Sequence, residues 1–288
     1  MSSLYGFEVK SDLPLRRLNA AVGTRGQLQI ETRPLKAPDQ APVSTLVSAD
    51  GRCWYASYEL EDGRCQIELP PTESFLIEAT SGRVVVDSEA GAELREHRIA
   101  SSAVCTLLSM RGDLVLHASA IETGNRAVLF CGPTERGKST LARALGEAGY
   151  RLLGEDGIAI ELGDREHVAF PGARGVRVRS RDGNGRAQTD LLPDPGNGEP
   201  DPCPVAAVVL LGERGAQLTT EPLEPARALA LLTPNLVHSG GRAAIGAAFA
   251  NLATLLSSTP AFVASLPDDL DALTTSGKGL LDAIDLDG

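Results

Sequence analysis

The chain has 288 residues, 42% of them hydrophobic, and a formal net charge of -11. That is apolar material for one large domain or two modest ones, and it excludes a chain disordered throughout. The acidic balance excludes a nucleic-acid partner, because neutralising phosphates needs clustered Lys and Arg. Residues 1–97 read as short strands broken by turns. "GRCWYASYELEDGRCQIEL" predicts a hairpin, two β-rich runs flanking Asp62-Gly63. "SFLIEATSGRVVVD" predicts a second, turning at Ser81-Gly82.

From about residue 98 the texture changes. "ASSAVCTLLSMRG" predicts a helix with Val104, Leu107 and Leu108 on one face and Gly112 past its end. "DLVLHAS" and "RAVLFCG" read as buried strands, and "KSTLARALGEAGY" as a helix with Leu141, Ala144, Leu145 and Ala148 on one face. "YRLLGEDGIAIEL" supplies further strand. Residues 179–204, rich in Gly and Pro, are expected to form a long loop. Its place suits a lid or a docking segment as well as a plain insertion. After it come a strand ("VAAVVLL"), helical stretches near 224–236 and 242–258, a strand ("AFVASL") and a last helix after Pro267. Strands alternating with helices imply an α/β domain over 98–288, preceded by a small β-rich domain over 1–97.

No run of 18 apolar residues occurs, so no membrane span is expected. The opening "MSSLYGFEVKSDLPLRRL" lacks an apolar core and does not read as a signal peptide. Cys53, Cys65, Cys105, Cys131 and Cys203 are scattered, with no CxxC pair. They read as reduced thiols of a cytoplasmic protein, without a zinc site.

Gly132-Pro133-Thr134-Glu135-Arg136-Gly137-Lys138-Ser139 fits G-x-x-x-x-G-K-[ST] and leads through Thr140 into the predicted helix. The glycines let backbone N–H groups close around phosphate oxygens, and the helix that starts there points its positive end at the anion. Lys138 would reach the β- and γ-phosphates, and Ser139 would offer a hydroxyl to Mg²⁺. ATP and Mg²⁺ are the expected ligands. Glu135 puts a carboxylate near an anion, so pairing with Arg136 is expected. "PGARGVRVR" sets Arg177 and Arg179 on one strand face with Arg174 nearby, either to meet phosphate charge or as a solvated face. "GEDG" by itself also reads as an acidic turn. His97, His167 and His238 have no motif partner.

The segment from His117 to Leu162 resembles the core of the HPr kinase/phosphorylase C-terminal domain and its smaller relatives. In that family a strand ends in His, and a phosphate loop, a helix and a "G-x-R-L-x-x-D-D" segment follow. Here these are His117, Gly132 to Thr140, and Gly149 to Asp156. The resemblance continues loosely to about residue 270. The opening "YGFEVKSDLPLRRL" is similar to HPr-kinase-like proteins found beside peptide-modifying enzymes, such as the kinases of lasso-peptide clusters. The resemblance implies a P-loop kinase domain of HPr-kinase type and phosphoryl transfer from a nucleoside triphosphate to a hydroxyl. Carried over by position, Glu155 is the base that takes the hydroxyl proton and Asp156 the acid on the metal side. The family has Asp at the first of these, and Glu reaches one methylene further. His117 would stand near the phosphates. The implied acceptor is a serine of a peptide or small protein. A small hydroxyl metabolite is the other acceptor, and a nucleotide-binding regulator without transfer the reading from another class. The resemblance also allows a homo-oligomer, as a ring or a dimer.

Overall fold

The computed structural model describes residues 2–20, 24–48, 51–134, 136–181, 187–192, 198–267 and 273–284. The first sheet is built from β1 (Ser3–Leu4), β2 (Phe7–Ser11), β3 (Gln27–Thr32), β4 (Ser44–Val47), β5 (Cys53–Glu59), β6 (Cys65–Leu69), β7 (Glu73–Glu78) and β8 (Arg83–Ser88). Their spatial order is β1-β2-β3-β8-β7-β6-β5-β4. Both predicted hairpins form: β5 pairs β6 across a 3-10 turn at Glu61–Gly63, and β7 pairs β8. Alternate residues point to one face, so Leu28 and Ile30, Phe75 and Ile77, and Val84 and Val86 enter one core.

The predicted helix at 98 begins earlier. One helical run comprises α1 (Ala92–Arg98), a π-helical stretch (Ile99–Val104) and α2 (Cys105–Met110). Its start carries no capping signal, because Gly91 offers no side chain to the first-turn amides. The buried Ile99, Val104, Leu107 and Leu108 join the core of the first sheet. So do Val115, Ala159 and Phe170 from farther along the chain.

The second sheet contains β9 (Leu114–Leu116), β10 (Ser119–Thr123), β11 (Arg126–Cys131), β12 (Arg151–Gly154), β13 (Ile158–Leu162) and β14 (His167–Phe170). Next in the chain is a separate two-stranded sheet, β15 (Val176–Arg181) and β16 (Ala187–Leu192), paired antiparallel. The long loop expected over 179–204 is therefore partly a hairpin. Residues 182–186, which carry two of its glycines, lie outside the described residues, and two β-compatible runs flank them. The second sheet is completed by β17 (Cys203–Leu211), β18 (Thr219–Leu223) and β19 (Ala261–Ser265). Its central pairs, β11 with β17 and β17 with β19, are parallel.

Four more helices are α3 (Lys138–Glu147), α4 (Pro225–Leu232), α5 (Arg242–Ser258) and α6 (Leu273–Ala283). The alternation in β11 sorts them. Val128 and Phe130 pack with Leu141 and Leu145 of α3 and Leu280 of α6. Leu129 and Cys131 face Leu252 and Leu255 of α5 and Leu232 of α4. Coverage of both faces explains why β11 and β17 are continuous apolar runs. Each such leucine contributes about 1.5–3 kcal/mol by leaving water. Among the described residues no helix is long and apolar enough to cross a membrane.

Candidate phosphate-loop site

The carboxyl ends of parallel β11 and β17 stand side by side, Cys131 opposite Leu210. Crevices at such strand ends are where α/β sheets bind ligands. Gly132 leaves β11 at φ 140, and a Cβ there would meet Leu211 O at 2.9 Å. Only glycine lets the chain turn so close to β17. Gly137, at φ 91, is the last residue before α3. The first turn of α3 holds no acidic residue, so its amides and positive end meet no carboxylate from their own helix.

Lys138 is buried, and its Nζ donates to Gly132 O at 2.8 Å and Pro133 O at 3.2 Å. The ammonium is thus folded back over the loop. Ser139 is half-buried, while Pro133, Thr134 and Thr140 are exposed. Glu135 lies outside the described residues, and with it the pairing expected with Arg136. Arg136 Nη2 stands 3.5 Å from Glu213 Oε1. Burial pushes the Cys131 thiol up to about 12, opposed by the charge of Lys138, so it is protonated at neutral pH.

Glu155 and Asp156 form the turn between β12 and β13. Glu155 is buried. Asp156 Oδ2 accepts from His97 Nε2 at 3.1 Å. His117 Nδ1 lies 3.0 Å from the Asp156 carbonyl oxygen and 3.9 Å from its Oδ1. A ring nitrogen facing a carbonyl carries the proton, so neutral His117 keeps its lone pair on Nε2. Asn235 ties this cluster to the loop. Its Nδ2 donates to His117 O at 3.2 Å and Gly132 O at 3.1 Å, and its carbonyl accepts from His117 N at 2.7 Å.

Arg17 adds a cation beside the acids. Its side chain donates to Arg174 O and, at 3.0 Å, to Gly175 O. Burial lowers its pKa, while the carboxylates of Glu96, Glu155, Glu93 and Asp156 raise it. Arg174 pairs with Glu199 at 3.1 Å. Arg177 and Arg179 fall in β15, and the role expected of their side chains lies outside the described residues.

Of the residues singled out in the sequence, the structure brings together Gly132, Gly137, Lys138, His117 and Asp156. It adds His97, Asn235, Arg17 and Arg214, none of which a local motif marks. The Arg214 guanidinium covers Gly137: a Cβ there would collide with Nη2 and lie 3.2 Å from Cζ. The Ser139 hydroxyl and the Asp156 carboxylate are hard oxygen donors of the kind Mg²⁺ takes, and Mg²⁺ at phosphate sites needs only one or two from protein.

No family model matches this chain, and no curated protein matches it. Among solved structures, it is similar to the HPr(Ser) kinase/phosphatase from Coxiella burnetii, at 15% identity and a TM-score of 0.35, over 60% of this chain and 99% of that one.

Proposed function

We propose that this chain is an ATP-dependent kinase that phosphorylates a hydroxyl, most simply a serine of a flexible peptide or small protein. The observation that carries the reading is the loop itself. Two glycines at positive φ bracket it, a parallel strand enters it, and a helix leaves it with a buried lysine at its first position. That arrangement suits a chain of phosphates, with backbone N–H groups around the oxygens and Lys138 swinging from the loop carbonyls to the phosphates.

In the transfer, the acceptor oxygen attacks the terminal phosphorus and its proton passes to the Glu155 carboxylate. The bond to the bridging oxygen breaks, and ADP leaves. Mg²⁺, held through Ser139 and Asp156, would neutralise charge on the phosphate oxygens. His97 holds the Asp156 carboxylate, and His117 sits beside the same turn. The peptide acceptor is supported by the likeness of the opening segment to peptide-modifying relatives. A cytoplasmic setting agrees with five free cysteines.

The test pairs two variants. Lys138→Ala should weaken Mg-ATP binding by about 2–3 kcal/mol in calorimetric titration, the worth of a charge-assisted contact. Glu155→Gln should keep binding and lower transfer to serine peptides roughly 100-fold, followed as the mass gain of one phosphate. Unchanged affinity in Lys138→Ala rejects the loop assignment. Phosphorylation of a small sugar or alcohol alone transfers the reading to a metabolite kinase.

A further inference from the structure

Arg214 lies in the connection between β17 and β18, just beyond the strand end that flanks the phosphate loop. Its Nη1 donates to Pro267 O at 2.9 Å, which fixes one edge of the guanidinium. Nη2, at the other edge, occupies the space beside Gly137 that any larger residue would fill. The glycine therefore serves two ends, the φ of 91 and room for an arginine.

Among the described residues, the groups that the loop and α3 bring to this contact are positive. Lys138 is buried at the loop, α3 directs its positive end there, and its first turn carries no acid. A guanidinium beside Gly137 adds a further positive group to the loop, and such a cluster suits an anionic ligand. The nearby Glu213 carboxylate does not serve. Its side chain is 89% exposed and stands against Arg136, and such a solvent-facing pair contributes little. Among the described residues, the acceptor that holds Arg214 is the neutral Pro267 carbonyl. Arginine's planar fork suits phosphate oxygens, and one fork edge is turned to the loop.

We infer that Arg214 is a phosphate-contacting arginine supplied in cis. It meets the bound triphosphate from the β17 side, while Lys138 meets it from within the loop. This rests on the reading of the loop as a triphosphate site. The Pro267 carbonyl holds the guanidinium in position beforehand, so little ordering is needed when phosphate arrives.

The experiment titrates wild type, Arg214→Gln, Arg214→Lys and Lys138→Ala with Mg-ATP at two salt concentrations and measures thermal midpoints. Arg214→Gln should lose on the order of tenfold to a hundredfold in affinity and flatten the salt dependence, with the midpoint close to wild type. Arg214→Lys keeps the charge and should recover part of the affinity. A purely structural arginine would instead lower the midpoint of Arg214→Gln and leave the affinity of the folded protein and its salt slope unchanged. That result overturns the proposal. Wild-type affinity in Arg214→Gln, with binding lost in Lys138→Ala, also overturns it while the loop reading stands. Absence of Mg-ATP binding in wild type overturns both.

Discussion

Asp156 sits at φ 63, a conformation that Asp tolerates better than most side chains. The turn aims its carboxylate at His97, whose side chain is 4% exposed, and its carbonyl at His117. A buried imidazole on one carboxylate oxygen fixes the direction of the other, as an outer partner does for a ligating acid. On the proposed reading His97 is thus a positioning residue. His97→Ala should lower transfer roughly tenfold to a hundredfold and raise the Mg²⁺ concentration needed for half-maximal rate, with affinity for metal-free ATP unchanged. His97→Gln, which can still donate, should recover part of the loss. A uniform fall in rate with no change in metal requirement would leave His97 a core residue only. The glycine loop, Lys138 and the acid pair were legible because their spacing is local. His97 was not, since 59 residues separate it from Asp156 and nothing near it in the chain marks the pairing.

At the scale of elements, residues 2–20 form a strap across the site's supports. Tyr5 N donates to Pro171 O at 2.8 Å and its hydroxyl to Gly157 O at 3.0 Å, one residue past Asp156. Asn19 Nδ2 donates to Gly172 O at 2.8 Å, Arg174 N to Arg17 O at 2.8 Å, and Ala20 N to Glu199 Oε2 at 2.8 Å. The strap brings Arg17 among the carboxylates around the acid turn. A nearby cation favours ionised carboxylates, so its removal lets them take up protons at higher pH. With Glu155 as the proposed base, Arg17→Ala should shift the acid limb of the pH–rate profile upward, since a base must be unprotonated to act. Superimposable profiles would show that Arg17 only holds the turn of Arg174 and Gly175. Little of this was visible beforehand. "YGFEVKSDLPLRRLN" has no period to read, and its partners lie about 150 residues away. The hairpin of β15 and β16 was hidden for another reason: Gly and Pro counted over the whole stretch masked two short runs able to pair.

Across the whole molecule, one core joins the two sheets. Ile67, Phe75, Ile77, Val84 and Val86 of the first sheet meet Ile99, Val104, Leu107 and Leu108 of the helical run, and Val115, Ala159 and Phe170 of the second sheet. The change of sequence texture near residue 98 falls inside that helical run, between α1 and the π-helical stretch. Composition registers the switch from strands to alternating strands and helices, but it does not register which residues share a core. A shared core predicts shared unfolding. Trp54, the one tryptophan, stands on β5 and reports on the first sheet, whereas far-UV circular dichroism is weighted to the helices around the second. Denaturant transitions followed by the two signals should coincide. Leu107 is fully buried between the sheets, and Leu107→Ala should lower the stability read by both signals by the same amount, about 2–5 kcal/mol. Two separated midpoints in wild type, or a variant that shifts only one signal, would make 1–97 and 98–288 independent domains. Coincident shifts would mean that the strap and the first sheet hold the acid turn in place as parts of one folding unit.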